Sequence, residues 1–170
     1  ATVTNGSDGV PLLSASHVAS YGTFSNKPSV DADLSEALIE QAEIDVGNFT
    51  NDRGVRINAK LQDMMINHAQ KFEAYRILNS SLRPYTADND ANAVKEMGCV
   101  RNVIASPYIT DTDAVFFTTN VTQGLQSFIR KDLTLANEPV FQNGAVQFKG
   151  VGRMAVGWTD PRGFYGTIGG

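Results

Sequence analysis

Apolar residues recur at helical spacing in one early stretch: Leu34, Ala37, Leu38, Ala42, Val46 and Phe49 fall on one face, and Glu36, Glu40 and Glu43 on another. The pattern predicts a helix that starts at Asp31 as N-cap, carries Asp33 near the positive end of its dipole, and stops at the Asn51-Asp52-Arg53-Gly54 turn. Short strands are predicted at Val55–Ile57 and Met64–Asn67, followed by an amphipathic helix over Ala69–Asn79. Its Phe72, Tyr75, Arg76 and Asn79 lie three or four residues apart, as do Ala74, Ile77 and Leu78. Residues 1–30 show no such period. They are rich in Ser, Asn, Gly and Pro around a single apolar anchor, Val10 to Leu13, and read as an extended segment. Residues 80–98 contain Pro84 and a polar run longer than an ordinary connection, so they read as a loop with a function of its own.

After Gly98 the period shortens to two. "CVRNVIAS" and "AVFFTTN" read as strands separated by a turn built on Thr110, Asp111, Thr112 and Asp113. "GLQSFIRKDLTLA" and "AVQFKGVGRMAVGW" supply two more strands, with Leu125, Ser127 and Ile129 alternating in the first and Gly150 and Gly152 marking a bulge in the second. In "GWTDPRGFYG" Pro161 presets φ and Gly163 tolerates a left-handed turn, which predicts a terminal hairpin. Trp158 is expected to pack inward on the first helix or its sheet, and Phe164 or Tyr165 to stay partly exposed. The class is α+β in three blocks: an extended 1–30, a mixed 31–122, and a mainly β 123–170.

A chain of 170 residues, 42% hydrophobic and 19% charged, is long enough to bury a core and suits one soluble domain, single or two-lobed. No apolar run reaches the roughly 18 residues a membrane helix needs. Fourteen basic and eighteen acidic residues give a net charge of −4 with no cationic block, which argues against sequence-specific nucleic-acid binding. The single Cys99 excludes an internal disulfide framework and suits a reducing compartment. The Asn-x-Ser/Thr triplets at Asn5, Asn48, Asn79 and Asn120 read as loop and cap residues. The opening "ATVTNGSDGVPLLSASH" has no Met and reads as the interior of a longer chain.

Candidate chemistry is sparse. His17, in "SASH", invites a Ser-His-Asp reading, but the chain has no G-x-S-x-G elbow to present a strained serine. His68 stands at a helix start, where a neutral ring caps or packs. "DTD" at 111–113 and "DND" at 88–90 offer oxygen ligands for calcium, yet "DNDANAVKEMGC" lacks the sixth-place Gly and twelfth-place Glu of an EF-hand loop. Both read as solvated turns. No phosphate-binding, dinucleotide or H-E-x-x-H motif occurs, so no cofactor or metal is assigned. Cys99 reads as a small buried hydrophobe.

Four separated stretches, "GTFSNKP…DADLSEALIEQAEIDVGNFTNDRGVRI", "MMIN…KFEAYRILNSSLRPYTADND", "VIASPYITDTDAVFFTTN" and "QFKGVGRMAVGWTDPRGFYG", resemble in colinear order the C-terminal part of tailed-bacteriophage and prophage major capsid proteins. The resemblance runs from about Ser14 to Gly169. It implies the HK97-like major-capsid fold, here an axial domain plus part of the peripheral domain, without the N-terminal arm, extended loop and spine helix. His68 stands where the family often has Pro after the strand. The crosslinking lysine of some relatives lies on the missing loop and does not carry over.

The function implied is a non-enzymatic structural subunit of a phage head, located in the virion and, during assembly, in the host cytoplasm. It would assemble with copies of itself, as hexamers and pentamers, into an icosahedral shell around double-stranded DNA, with scaffold, protease or portal proteins as further partners. Residues 80–98 would form the axial tip at the capsomer centre, with Arg83, Pro84, Tyr85, Asp88, Asn89, Asp90 and Asn92 as contacts, and Phe164 and Tyr165 would meet neighbours on the peripheral side. Such polar residues offer little to bury, so the tip should be mobile in the free chain. The fragment alone is expected to form a monomer or small oligomer rather than closed shells. On the residues alone two other readings stay open: a non-catalytic β-rich module binding protein or carbohydrate, and a hydrolase. Glycan arrays and an ester panel separate them from a shell subunit.

Overall fold

The computed structural model describes residues 5, 6, 8–83, 90–122 and 124–170. Its core forms around a four-stranded sheet in the order β4-β3-β5-β8. β3 (Leu61–Ile66) runs parallel to β4 (Asn102–Ala105) on one side and antiparallel to β5 (Val115–Thr119) on the other. β8 (Phe164–Thr167) closes the far edge, antiparallel to β5. The registers Met64↔Phe117 and Phe117↔Tyr165 place one row of fully buried side chains across three strands, because directly paired residues share a face. Three helices join this core: α1 (Glu36–Gly47), α2 (Lys71–Asn79) and α3 (Ala93–Met97). They contribute Leu38, Ile39, Ala42, Val46, Ala74, Ile77 and Val94 to it.

Several local expectations are corrected. The first helix starts at Glu36, not after Asp31, because Ser35 is its cap and accepts from the Leu38 amide at 3.2 Å. Asp31 instead pairs with Lys27 at 2.9 Å and accepts from Thr167 Oγ1 at 3.2 Å, tying the extended approach to the helix onto β8. Ile39 is buried on α1 and Ala37 exposed, which rotates the buried stripe from the expected one. No strand forms over Val55–Ile57. That segment closes a tight loop through the Thr50–Arg56 bridge, with Asn51 Oδ1 accepting the amides of Arg53 and Val55. β3 begins three residues earlier than expected, and Asn67 caps a short 3-10 turn, His68–Gln70, before α2.

The stretch 80–98 is not one continuous loop. Asn92 is fully buried, caps α3 through the Lys95 amide at 3.1 Å, and donates to Ile77 O at 2.5 Å and Ser80 O at 3.2 Å. Gly98 ends α3 with φ +63°, a conformation glycine adopts without strain. The described flanks of the loop are tied by the Leu82–Ala91 bridge, and residues 84–89 lie outside the described residues.

The terminal hairpin is also corrected. β7 (Val146–Trp158) pairs along its length with β6 (Leu125–Pro139), while β8 pairs with β5. Residues 159–163 therefore carry the chain from one sheet to another, and the residues grouped in sequence as 123–170 take part in two sheets. The passage is tight: a Cβ on Gly163 would lie 2.5 Å from Gly124 Cα. Asp160 caps the 3-10 turn Pro161–Gly163. Arg162, within this turn, reaches Asp52 at 2.7 Å and lies over the Phe24 ring, 4.6 Å from its centroid.

Candidate assembly surfaces

β6 and β7 form a two-stranded ribbon about 40 Å long, at roughly 3.3 Å per residue. Alternation along β7 is regular. Val146, Phe148, Met154, Val156 and Trp158 share one face, and Gln147, Lys149, Val151, Arg153 and Ala155 the other. Leu125, Ile129 and Leu135 join the first face through their pairing with Trp158, Met154 and Gly150, while Lys131 joins the second opposite Arg153. The bulge expected in β7 at the glycines is corrected: the extra residues lie in β6, between Ile129 and Thr134, and Leu133 and Leu135 lie over Gly152 and Gly150. The ribbon thus has one face rich in apolar residues, with Ser127 and Asn137 among them, and a mixed face on which Lys131, Lys149 and Arg153 stand with Phe128, Val151 and Glu138.

Among the described residues, the apolar face is largely uncovered. Leu133, Leu135, Phe148, Met154 and Val156 are each at least 70% exposed. Beyond their own pairing, β6 and β7 share no extended contact with any other described helix or strand. Alternation identifies a face but not what lies against it.

The base of the ribbon is held by the N-terminal segment. β1 (His17–Ala19) and β2 (Gly22–Phe24) form a small hairpin. His17 is fully buried, with Nδ1 2.7 Å from Asp8 Oδ2 and Nε2 3.1 Å from Leu12 O and 3.2 Å from Asn26 Oδ1. Its ring stacks on Phe24 and meets Trp158 edge-on. None of these partners is a serine, and the triad reading has no geometry to support it. Asn26, also fully buried, donates to Leu12 O, Pro161 O and Phe164 O and accepts from the Ser14 amide, joining both ends of the chain. Burial opposes ionisation of Asp8, but the bonds it accepts from His17 and the Val10 amide hold its carboxyl below the ordinary 3.8. No sequence signal marked Asn26; its three acceptors come from positions far apart in the chain.

The remaining expected contacts are distributed unevenly. Arg83 is exposed and donates from Nε to Glu36 Oε2 at 2.9 Å, and Asp90 is exposed with its carbonyl accepting the Arg83 amide at 2.9 Å. Pro84, Tyr85, Asp88 and Asn89 lie outside the described residues. Phe164 and Tyr165 are buried at 6% and 0% exposure, correcting the expectation that one of them faces outward. Trp158 does not enter the core beneath α1 either, but sits half-buried at the ribbon's base against Gly6 and His17. Among the described residues no group of three His, Cys, Asp or Glu gathers to hold a metal. Asp111 instead closes a turn by accepting the Asp113 amide at 3.1 Å.

Tyr165 Oη donates to Asp45 Oδ2 at 2.6 Å, beneath α1. Burial, then this carboxylate, pushes the phenol far above its ordinary 10.0. A raised folded-state value contributes stability that is complete below pH 10.0 and lost as pH rises above it, since only the unfolded chain then releases the proton. Alkaline unfolding followed by circular dichroism is therefore expected to begin above pH 10.0 in the parent and to be shallower in Tyr165→Phe.

A family model described as "Phage capsid protein" matches residues 1–167. No curated protein matches significantly. A chain from the crystal structure of a virus-like particle from Pyrococcus furiosus aligns with 84% of this chain at 14% identity and a TM-score of 0.47. This chain spans 55% of that protein's length.

Proposed function

Because this chain belongs to the phage capsid protein family, we propose that it is the C-terminal part of a major head protein of the HK97-like type, whose copies assemble into an icosahedral shell around double-stranded DNA. The observation that carries this reading is the ribbon β6–β7. A two-stranded ribbon with an open apolar face is marginal in water alone, and an exposed apolar strip of this length marks an interaction site. A shell subunit needs such surfaces and needs no reactive group.

In this reading the β4-β3-β5-β8 sheet with its helices is the axial domain, and the ribbon lies on the peripheral side. The segment that runs in sequence from Arg83 to Asp90, and so includes Pro84, Tyr85, Asp88 and Asn89, is assigned to the capsomer centre. Hexamers and pentamers are the capsomers, scaffold, protease and portal proteins are candidate partners, and assembly takes place in the host cytoplasm.

The test uses the full-length protein. Replacing Leu135, Phe148 and Met154 together by Ser leaves the core residues untouched. Particle yield by sedimentation and electron microscopy is expected to drop by about tenfold or more, as when a central apolar cluster is removed from an interface. Shells of normal yield and size from the triple variant would overturn the reading of the ribbon as an assembly element.

A further inference from the structure

Asp8, His17 and Asn26 meet in a polar cluster at the base of the ribbon. The His17 ring is fully buried, and both of its nitrogens face oxygen atoms. Nε2 faces Leu12 O and Asn26 Oδ1. The carbonyl of Leu12 only accepts. Asn26 Oδ1 is fixed as an acceptor by the other bonds of its amide, because it receives the Ser14 amide at 2.9 Å while Nδ2 donates to the carbonyls of Leu12, Pro161 and Phe164. Turning that amide over would set donor against donor at Ser14 and oxygen against oxygen at the three carbonyls. Nε2 therefore carries a proton.

The other nitrogen, Nδ1, lies 2.7 Å from Asp8 Oδ2. Asp8 Oδ1 accepts the Val10 amide at 3.3 Å, and although burial opposes ionisation, the bonds this carboxyl accepts hold it below the ordinary 3.8. At neutral pH it is a carboxylate, which only accepts, so Nδ1 carries a proton as well. An imidazole protonated on both nitrogens is a cation. Its apolar neighbours are Phe24, stacked with centroids 5.3 Å apart, and Trp158, edge-on at 5.9 Å. Arg162 lies over the same Phe24 ring, but its charge is met by Asp52 and Asp160. Among the described residues, Asp8 is the carboxylate bonded to the His17 ring.

We propose that His17 is a buried imidazolium whose pair with the Asp8 carboxylate latches residues 8–17 onto the base of the ribbon, and that protonation of Asp8 opens this latch. A neutral Asp8 leaves the cation in the interior without its counter-charge, the costly way to break a buried pair. The sign follows from the carboxyl: its value in the fold is lowered, so the stability it contributes is complete above pH 3.8 and lost as pH falls below it. Every group of the latch belongs to one chain, so it does not depend on the capsid reading.

Nitrogen NMR of histidine-labelled protein reads the charge directly. It is recorded in H68Q, since His68 is exposed and its replacement leaves His17 as the only histidine of this chain. At about pH 8, where a free imidazole of pKa ~6.5 is neutral, both ring nitrogens of His17 are expected at protonated shifts. One protonated and one bare nitrogen would mean that the ring is neutral, and would overturn the proposal. The second measurement is hydrogen exchange in D8N, which keeps the shape of Asp8 and removes its charge. Exchange at residues 12–17 is expected to quicken by about tenfold or more, with β3 and β5 unchanged. The parent, corrected for intrinsic rates, should loosen in the same segment as pH falls below 3.8, and D8N should loosen no further there. Exchange in D8N equal to the parent's, loosening that spreads to β3 and β5, or an acid response that D8N repeats in full would each overturn the latch.

Discussion

Replacing Tyr165 by Ala is expected to lower the stability of the chain by about 3–5 kcal/mol, the range for truncating a fully buried aromatic. The ring completes the row Met64–Phe117–Tyr165, lying 6.4 Å from Phe117, and all three side chains are fully buried. Removing it leaves a cavity between sheet and helix and leaves the Asp45 carboxylate without its phenol donor. Tyr165→Phe keeps the ring and is expected to cost about 1–2 kcal/mol. Trp158→Ala should cost less than Tyr165→Ala, because the indole is half-buried at the ribbon's base. Urea denaturation of the purified chain orders the three; a Trp158 effect above that of Tyr165 would contradict the burial described.

The second large effect is expected at Asn26. Asn26→Ala should destabilise by about 3 kcal/mol or more, out of proportion to the volume lost, because several buried polar groups lose their partner at once. The side chain answers the carbonyls of Leu12, Pro161 and Phe164 and the Ser14 amide. Asn26→Asp, almost isosteric, should be no milder, since it places a carboxylate against three carbonyl oxygens. Both variants should loosen the base of the ribbon, seen as faster hydrogen exchange at residues 12–17 and 161–166. An Asn26→Asp protein as stable as the parent would mean that packing, not these bonds, joins the two ends.

Much of the fold was legible because local chemistry dominates it. The four-residue spacing of Leu38, Ala42 and Val46 located α1, and "MMI" and "VFFTT" located the central strands. The bulge expected at Gly150 and Gly152 falls instead on the opposite strand, where β6 carries the extra residues between Ile129 and Thr134. Errors arose where two local solutions compete. Asp31 and Ser35 are both good caps, and the choice went to Ser35 because Asp31 is engaged by Lys27 and Thr167. Asn92 reads as a polar loop residue until Ile77 and Ser80 are seen to present their carbonyls to it.

The sequence by itself determined the α+β class, the main helices and strands and the amphipathic alternation of the ribbon, and its four colinear stretches pointed to the capsid family. These properties depend on residue type and spacing, which are local. Only the tertiary structure decided that Tyr165 lies in the core while Phe148 and Met154 stand in solvent, that β8 leaves β7 to pair with β5, and that Asn26 joins the two ends of the chain. Each of those outcomes depends on what a face meets across the fold. Periodicity says which side chains point the same way, and burial is set by whichever surface, in this chain or another, comes to cover them.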